Sequence, residues 1–255
     1  MNILQQGQGP ATIVLSHALA SNLAMWDTVA ELLAPRYTVL RYDHRGHGAS
    51  PRITQPTTVQ ALAADAAAVI RQHCDRPVVF AGLSLGGMVG QALAARHPNL
   101  LRGLAVLNSA CHYPDGSIWQ ARIEAVRKGG MQAVADGSLQ RWVRPGFSDT
   151  SAGADTVQRM RATLLHTDPD SYIYTCEALA AMDLRASNAS IAAPTLVIAG
   201  RHDLATPLAM SQAIVDSIPG ARLEEVDGAH ISTAESPDAI AALLHRWVST
   251  LPAAA

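Results

Sequence analysis

Short runs of aliphatic and β-branched residues recur along the chain, and most are followed by a stretch with apolar residues at helical spacing. Strands that alternate with helices indicate βαβ units, and runs that are apolar on both faces indicate a parallel sheet covered by helices on each side. The runs predict strands at residues 11–17, 37–43, 77–82, 101–109, 194–200 and 221–228. The stretches between them predict helices at residues 23–34, 58–73, 84–96, 207–218 and 235–250.

One segment, residues 111–186, interrupts this alternation. It contains no convincing strand, and the turn sequences "YPDG", "RKGG" and "RPGF" divide it into short helices. An insertion of this kind predicts a helical cap over an apolar pocket, carried by an α/β core of residues 1–110 and 187–255. A helical subdomain with its own small core is the alternative. The segment holds six of the chain's eleven aromatic residues, namely Tyr113, Trp119, Trp142, Phe147, Tyr172 and Tyr174.

Composition and charge exclude several classes of protein. Hydrophobic residues make up 49% of the chain, enough for a large core, and the net charge of -2 comes without any basic block. The first ten residues lack the basic start and apolar run of a signal peptide, and no window approaches a membrane span. Cys74, Cys111 and Cys176 are far apart and lack metal-site spacing. We expect a soluble cytoplasmic protein that binds neither nucleic acid nor membranes; the sequence leaves monomer and homodimer open.

The sequence "GLSLG" at residues 82–86 follows the predicted strand 77–82 and opens the predicted helix 84–96. A G-x-S-x-G pattern at a strand-to-helix junction is typical of a nucleophile elbow, in which small neighbours allow a serine to stand exposed on a strained turn. A phosphate-binding loop is the other functional reading of a glycine-rich turn. The phosphate-loop patterns G-x-x-x-x-G-K-[ST] and G-x-G-x-x-G are absent, so we interpret Ser84 as a candidate nucleophile.

A serine nucleophile needs a base and a group that orients the base. Asp203 directly follows the predicted strand 194–200, and His230 follows the predicted strand 221–228. Catalytic groups of an open parallel sheet gather beyond the carboxyl ends of its strands, which places both residues at the same edge as Ser84. The chain order Ser, Asp, His is the order expected of an α/β-hydrolase. We therefore predict His230 as the base and Asp203 as its orienting carboxylate.

Two backbone amides are candidates for the oxyanion hole. One belongs to Leu85, directly after the candidate nucleophile, and the other to Leu19, in the loop after the first predicted strand. The remaining histidines have structural interpretations. His44 and His47 are three residues apart in a glycine-rich turn without a metal-binding helix pattern, so we expect neither a metal nor a cofactor.

Several stretches of the chain resemble the α/β-hydrolase fold family and, within it, the 3-oxoadipate enol-lactonases. The elbow is shared by many hydrolases, whereas "HTD" at 166–168, Tyr172 and "DLR" at 183–185 are more particular to the lactonases. One departure is the pair His17-Ala18, where that group tends to have Asn-Ser. The other matching stretches are "MWD" (25–27), "RYDHRGHGAS" (41–50), "VIAGRHD" (197–203) and "AHIS" (229–232).

The resemblance implies hydrolysis of a cyclic enol ester in the catabolism of aromatic acids, and we expect a small-molecule lactone or ester as the substrate. An acidic substrate requires a cation near its carboxylate, and the arginines of the predicted cap are the candidates for it. Solvation at the surface is the alternative role for each of these arginines. A general carboxylesterase, a perhydrolase and a non-catalytic ligand-binding protein with this fold stay open as other functions. The candidate pocket residues are Ala18, Trp119, Trp142, Arg122, Arg141 and Arg144.

Overall fold

A computed structural model describes residues 1–252, and a seven-stranded sheet forms its centre. The strand order is β1-β3-β2-β4-β5-β6-β7; β1 is antiparallel to β3 and all other neighbours are parallel. This arrangement confirms the predicted parallel α/β sheet. The strands are β1 (Ile3–Gln6), β2 (Thr12–Ser16), β3 (Thr38–Tyr42), β4 (Val78–Leu83), β5 (Leu101–Leu107), β6 (Thr195–Gly200) and β7 (Arg222–Val226).

Six of these strands fall where the apolar runs predict them, and β1 is the one that the pattern missed. Its sequence "ILQQ" has only two apolar residues, and none of its side chains is fully buried. It lies at the sheet edge, where Ile3 pairs with Tyr42 of β3. Because pairing with β3 rather than hydrophobic burial holds it in place, its local sequence gives little signal.

Helices flank the sheet and also form the inserted segment. The predicted helix 23–34 starts as a 3₁₀ turn at Leu23–Trp26, and the predicted helix 235–250 is divided before Pro237, which lacks the N–H needed to continue a helix. The α-helices are α1 (Asp27–Leu33), α2 (Val59–His73), α3 (Leu85–Arg96), α4 (Ser117–Gly129), α5 (Gln132–Trp142), α6 (Ser151–His166), α7 (Pro169–Ala180), α8 (Arg185–Asn188), α9 (Leu208–Ser217), α10 (Ser232–Glu235) and α11 (Pro237–Thr250). No helix within residues 1–252 is long and apolar enough to cross a membrane.

The four helices α4 to α7 lie between β5 and α8, in the segment predicted to be a cap. An antiparallel bridge between His112 and Asp183 brings the two ends of this segment together. Asp168 caps α7 by accepting a hydrogen bond from the N–H of Ser171 (3.0 Å), and Asp183 pairs with Arg185 (2.7 Å). The acidic residues of "HTD" and "DLR" therefore shape the cap. Its limits at residues 111 and 186 stay a proposal.

Candidate active site

Ser84 occupies a sharp turn between β4 and α3. Its backbone has φ 55° and ψ −116°, a strained conformation for a residue with a side chain. The turn is so tight that a Cβ on Gly82 would lie 2.1 Å from the carbonyl oxygen of Gly86. A Cβ on Gly86 would lie 2.2 Å from the carbonyl oxygen of Ser16. The two glycines therefore allow β4, β2 and α3 to approach closely around the serine.

His230 and Asp203 meet beyond the ends of β7 and β6. The two atoms His230 Nδ1 and Asp203 Oδ2 are 2.9 Å apart, and both residues are buried. Asp203 also accepts hydrogen bonds from the backbone N–H groups of Ala205 (2.7 Å) and Thr206 (2.9 Å) and from the Thr206 hydroxyl (2.7 Å). These contacts hold the carboxylate in one position beside the imidazole.

The charge state of Asp203 fixes the form of the imidazole. Burial raises the pKa of Asp203, but the charge of His230 and the hydrogen bonds from His230 and Thr206 outweigh it and lower the pKa to about 2. The carboxylate is therefore ionised at neutral pH and accepts a hydrogen bond from the Nδ1–H group of the ring. The neutral ring then carries its free lone pair on Nε2, as a base for serine requires.

A small cavity of about 40 Å³ joins the core to the cap. Ser84 and His230 line it from the sheet edge, together with the loop at Ala18. Ser84 Oγ and His230 share this cavity without a hydrogen bond between them in the described residues, as is common for a serine and its base before substrate binds. The cap side includes Trp119, Arg141 and Trp142, three of the predicted pocket residues.

The two predicted oxyanion-hole amides belong to Leu85 and to Leu19, which lines the cavity. The N–H of Leu85 is the first of α3 and so has no acceptor within the helix. In the Leu19 loop, Nδ1 of His17 lies 2.8 Å from the carbonyl oxygen of Ala18, which belongs to the same peptide group as the N–H of Leu19. Because His17 Nε2 accepts the backbone N–H of His44 (3.0 Å), the ring proton is on Nδ1, which donates to that carbonyl. The side chain of His17 thus orients the Ala18–Leu19 peptide.

His17 belongs to a cluster of three buried histidines with His44 and His47. The ring of His44 lies edge to face with those of His17 and His47, and the rings of His17 and His47 are tilted to each other. Burial lowers the pKa of His17 to about 3, with a further contribution from His47, and it also lowers the pKa of His44 and His47. All three rings are therefore neutral at pH 7. Within residues 1–252, no group of three or more His, Cys, Asp or Glu side chains is arranged to hold a metal ion.

Two arginines enter the cavity from the cap. Arg122 donates to the hydroxyl of Tyr172 (3.3 Å) and lies over the ring of Trp119, 5.3 Å from its centroid. Burial and the neighbouring charge of Arg122 lower the pKa of Arg141. Neither arginine has a carboxylate partner in the described part of the chain, and Nε of Arg141 and Nε1 of Trp119 are buried without an acceptor. The cavity therefore combines positive charge with unused hydrogen-bond donors.

Arg144 corrects one prediction, because it lies outside this cavity. Its guanidinium pairs with Asp227 (2.6 Å) and Glu235 (3.1 Å), and its backbone N–H donates to Glu235 as well (2.9 Å). The wrong assignment has a simple physical reason. Arg141 and Arg144 are separated by the end of α5 at Trp142, where the chain turns extended and the later side chain points to other partners.

The sequence interpretation chose Trp119 and Trp142 among the cap aromatics, and it missed Thr206, Tyr113 and Tyr172. Thr206 lines the cavity and holds Asp203, and Tyr113 and Tyr172 line it as well. The pattern "DLAT", in which a threonine follows the acid by three residues in a turn, is a signal that could have identified Thr206. The aromatics carry no comparable signal, because their position depends on how the cap helices pack.

Comparisons with known proteins show the fold family of the chain. A sequence profile of the alpha/beta hydrolase fold matches residues 11–237. The chain is 35% identical to 3-oxoadipate enol-lactonase 2 of Acinetobacter baylyi, over 92% of this chain and 86% of the relative. It is 30% identical to a pimeloyl-[acyl-carrier protein] methyl ester esterase of Chromobacterium violaceum, over 86% of each chain. A crystal structure of the enol-lactonase from Burkholderia xenovorans superposes with a TM-score of 0.92 at 35% identity and covers 97% of this chain and 96% of its own.

Proposed function

The chain belongs to the α/β-hydrolase fold family and is a hydrolase, and we propose that it opens a small carboxylate-bearing lactone through an acyl-enzyme on Ser84. The observation that carries the proposal is the pair Arg122 and Arg141, which line the cavity of Ser84 and His230 without any carboxylate partner in residues 1–252. Each guanidinium lowers its energy when a carboxylate enters the cavity, because repulsion between the two cations is then offset.

In the proposed first step, the hydroxyl of Ser84 attacks the lactone carbonyl carbon while Nε2 of His230 takes its proton. The developing oxyanion accepts hydrogen bonds from the N–H groups of Leu85 and Leu19, and Asp203 stabilises the imidazolium. The ring C–O bond then breaks, and the leaving enol oxygen receives the proton from His230. The product acid stays bound to Ser84 as an ester.

In the second step, a water molecule attacks the acyl-enzyme and gives its proton to His230, which returns it to the oxygen of Ser84. The enol released at the other end of the opened ring becomes a ketone, and this makes ring opening favourable. His230 mediates all four proton transfers, so the proposed reaction needs no metal or cofactor.

We propose 3-oxoadipate enol-lactone as the substrate, in the cytoplasmic catabolism of aromatic acids. This molecule has a lactone carbonyl for Ser84 and a separate carboxylate for the arginines. The support comes from the relatives named as enol-lactonases and from the cationic cavity. The aromatic lining from Trp119 and Trp142 suits a flat unsaturated ring.

A general carboxylesterase or a perhydrolase is the second candidate, favoured by the similarity to a methyl ester esterase. Such an enzyme would use the same Ser84, His230 and Asp203, with a neutral ester or with peroxide in place of water. A neutral ester would leave Arg122 and Arg141 without a partner, and for this reason we favour the anionic lactone. A binding protein without turnover would need no base beside Ser84.

A panel of substrates tests the proposal. We expect kcat/KM for the enol-lactone to exceed that for its carboxylate methyl ester by about 10- to 100-fold, the value of one charged hydrogen bond. The saturated lactone measures the contribution of the enol leaving group. The activated ester p-nitrophenyl acetate measures the activity of the triad without specific recognition of the substrate. Equal or better turnover of the neutral esters would favour the carboxylesterase. Ligand binding with neither turnover of any substrate nor covalent labelling by a fluorophosphonate would favour the binding protein.

A further inference from the structure

Asn108 lies just beyond the end of β5 in a conformation that asparagine adopts only occasionally. Its φ is 44°, in the left-handed region, and it is fully buried. Of the three non-glycine residues with positive φ in the described chain, one is Ser84 itself and another, Ala20, lines the same cavity. Strain of this kind persists where the surrounding structure enforces it, and it is concentrated at functional sites. The position of Asn108 is therefore fixed by its contacts.

The side-chain amide of Asn108 joins three separate segments. Its Nδ2 donates to Oδ2 of Asp203 (3.0 Å) and to the carbonyl oxygen of Ala229 (3.2 Å), the residue before His230. Its Oδ1 accepts the hydroxyl of Ser232 (2.7 Å). Because both hydrogens of Nδ2 go to acceptors and Oδ1 faces a donor, only one orientation of the amide satisfies all three contacts.

The end of β6 leaves room for this amide. A Cβ on Gly200 would lie 2.8 Å from Nδ2 of Asn108 and 2.5 Å from the carbonyl oxygen of Ala229. Any larger residue at position 200 would push the amide or the loop before His230 away. Gly200 and Asn108 therefore form one packing unit between β5, β6 and the loop after β7.

Asn108 differs from the other donors to Asp203. Within the described residues, Ala205 and Thr206 come from the same loop as the carboxylate, and His230 is the group that the carboxylate serves. Donors of the same loop move with Asp203. Asn108 alone holds Oδ2 from a third segment, and the same nitrogen also holds the backbone beside His230.

We propose that Asn108 is a positioning residue for the reaction assigned above. It fixes the separation between the carboxylate of Asp203 and the loop that carries His230, and thereby keeps Nε2 of the imidazole directed to Ser84. The inference rests on the proposed serine mechanism, since without that mechanism the separation has no catalytic consequence.

Replacing Asn108 by glycine tests the proposal. Glycine adopts φ 44° without strain, so Asn108→Gly removes the amide and keeps the backbone. We expect kcat to fall about 10- to 100-fold, the scale of one hydrogen bond to a charged group, while KM stays nearly constant. A purely structural residue would instead lower the melting temperature and leave kcat per folded molecule unchanged, and that result would overturn the proposal.

Asn188 provides a matched control. It is also a fully buried asparagine, and its Nδ2 donates to Gln91 Oε1 (2.8 Å) and Ser217 Oγ (2.9 Å), away from the cavity. We expect Asn188→Ala to lower the melting temperature with kcat unchanged. A similar loss of kcat in both variants would show that any buried amide has this effect, and the specific role of Asn108 would be wrong.

Labelling by a fluorophosphonate separates this proposal from the proposed function. The native protein should be labelled at Ser84, and Asn108→Gly should be labelled more slowly in proportion to its kcat. If the native protein is labelled and Asn108→Gly reacts at the native rate, only the positioning role fails. If the native protein is not labelled at all, the serine mechanism fails and the role of Asn108 fails with it.

Discussion

The buried carboxylate at the sheet edge is hydrogen-bonded by the protein, whereas some buried donors of the cap have no partner within residues 1–252. At the sheet edge, the carboxylate of Asp203 accepts five hydrogen bonds, from Asn108, Ala205, Thr206 (two) and His230. In the cap, Nε of Arg141 and Nε1 of Trp119 are buried and have no acceptor in the described chain. The sheet edge and the cap line one cavity. They differ in whether these polar groups find hydrogen-bond partners within the protein.

This difference separates the two tasks of an enzyme. Groups that carry out chemistry act best when their positions are fixed in advance, because no reorganisation is then needed at the transition state. Groups that recognise a substrate keep unused hydrogen-bond donors or acceptors, and the bound substrate provides the missing partners. We therefore expect changes at the sheet edge to lower kcat for every substrate, and changes in the cap to alter the choice among substrates.

The largest effect should come from the sheet edge. We expect Ser84→Ala to lower kcat by on the order of 10⁴-fold or more for lactones and neutral esters alike, because members of a triad act as a unit. Steady-state kinetics on both substrate types measures this. A variant that keeps a tenth of the native kcat would rule out Ser84 as the nucleophile.

The cap should show the opposite pattern. We expect Arg122→Gln and Arg141→Gln each to lower the ratio of kcat/KM for the anionic lactone over that for its neutral methyl ester by about 10- to 100-fold. The reason is the loss of one charged hydrogen bond to the carboxylate. Equal losses of kcat/KM for both substrates would mean that the two arginines contribute to folding or catalysis and not to recognition of the carboxylate. The cap and the sheet edge would then not differ in function.

His17 should behave as part of the sheet edge. His17→Leu removes the donor that orients the Ala18–Leu19 peptide, and we expect kcat to fall about 10-fold, less than the loss of a whole oxyanion donor. His17→Asn offers an N–H group at a similar place and should retain more of the native kcat. If the asparagine variant is as slow as the leucine variant, the hydrogen bond to Ala18 is not the reason for the loss.

The buried histidines predict a loss of stability in acid. In the folded protein the pKa of His17 is about 3, whereas an unfolded histidine titrates near 6.5, so between these values the unfolded chain binds the extra proton. The free energy of unfolding should fall as the pH decreases from 6.5 to 4, by up to about 1.4 kcal/mol per pH unit for this ring. Urea unfolding of the native protein and of His17→Asn across this pH range measures the effect. Identical slopes would contradict a neutral buried His17.

The smallest effect is expected for Arg144, which the structure places outside the cavity. Arg144→Gln should leave the preference for the anionic lactone unchanged and lower the free energy of unfolding by about 1 kcal/mol, through the loss of its contacts with Glu235 and Asp227. It is the matched control for Arg141→Gln. A change of substrate preference as large as that of Arg141→Gln would mean that a positive charge anywhere in the cap, and not only in the cavity, favours the anionic lactone.

Periodicity by itself was enough to predict the parallel sheet, because the buried strands β2 and β4 to β6 are apolar on both faces and local sequence reflects that burial. The elbow at Ser84 was predicted for a similar reason. Its strained turn needs glycines at fixed positions on either side of the serine, so five consecutive residues are enough to identify it. The interval from Asp203 to His230 also follows from local rules, since it is one strand-to-strand repeat.

Only the tertiary structure decided which distant side chains meet. Asn108 and Asp203 are 95 positions apart, and Arg122 and Tyr172 are 50 apart, so neither contact leaves a periodic mark in the sequence. The same holds for the choice of Arg122 and Arg141 over Arg144. The sequence by itself determined at which strand ends the candidate catalytic residues lie, because hydrogen bonding and burial along one segment are local. The packing of the cap on the sheet edge determined which groups are left unpaired for a substrate.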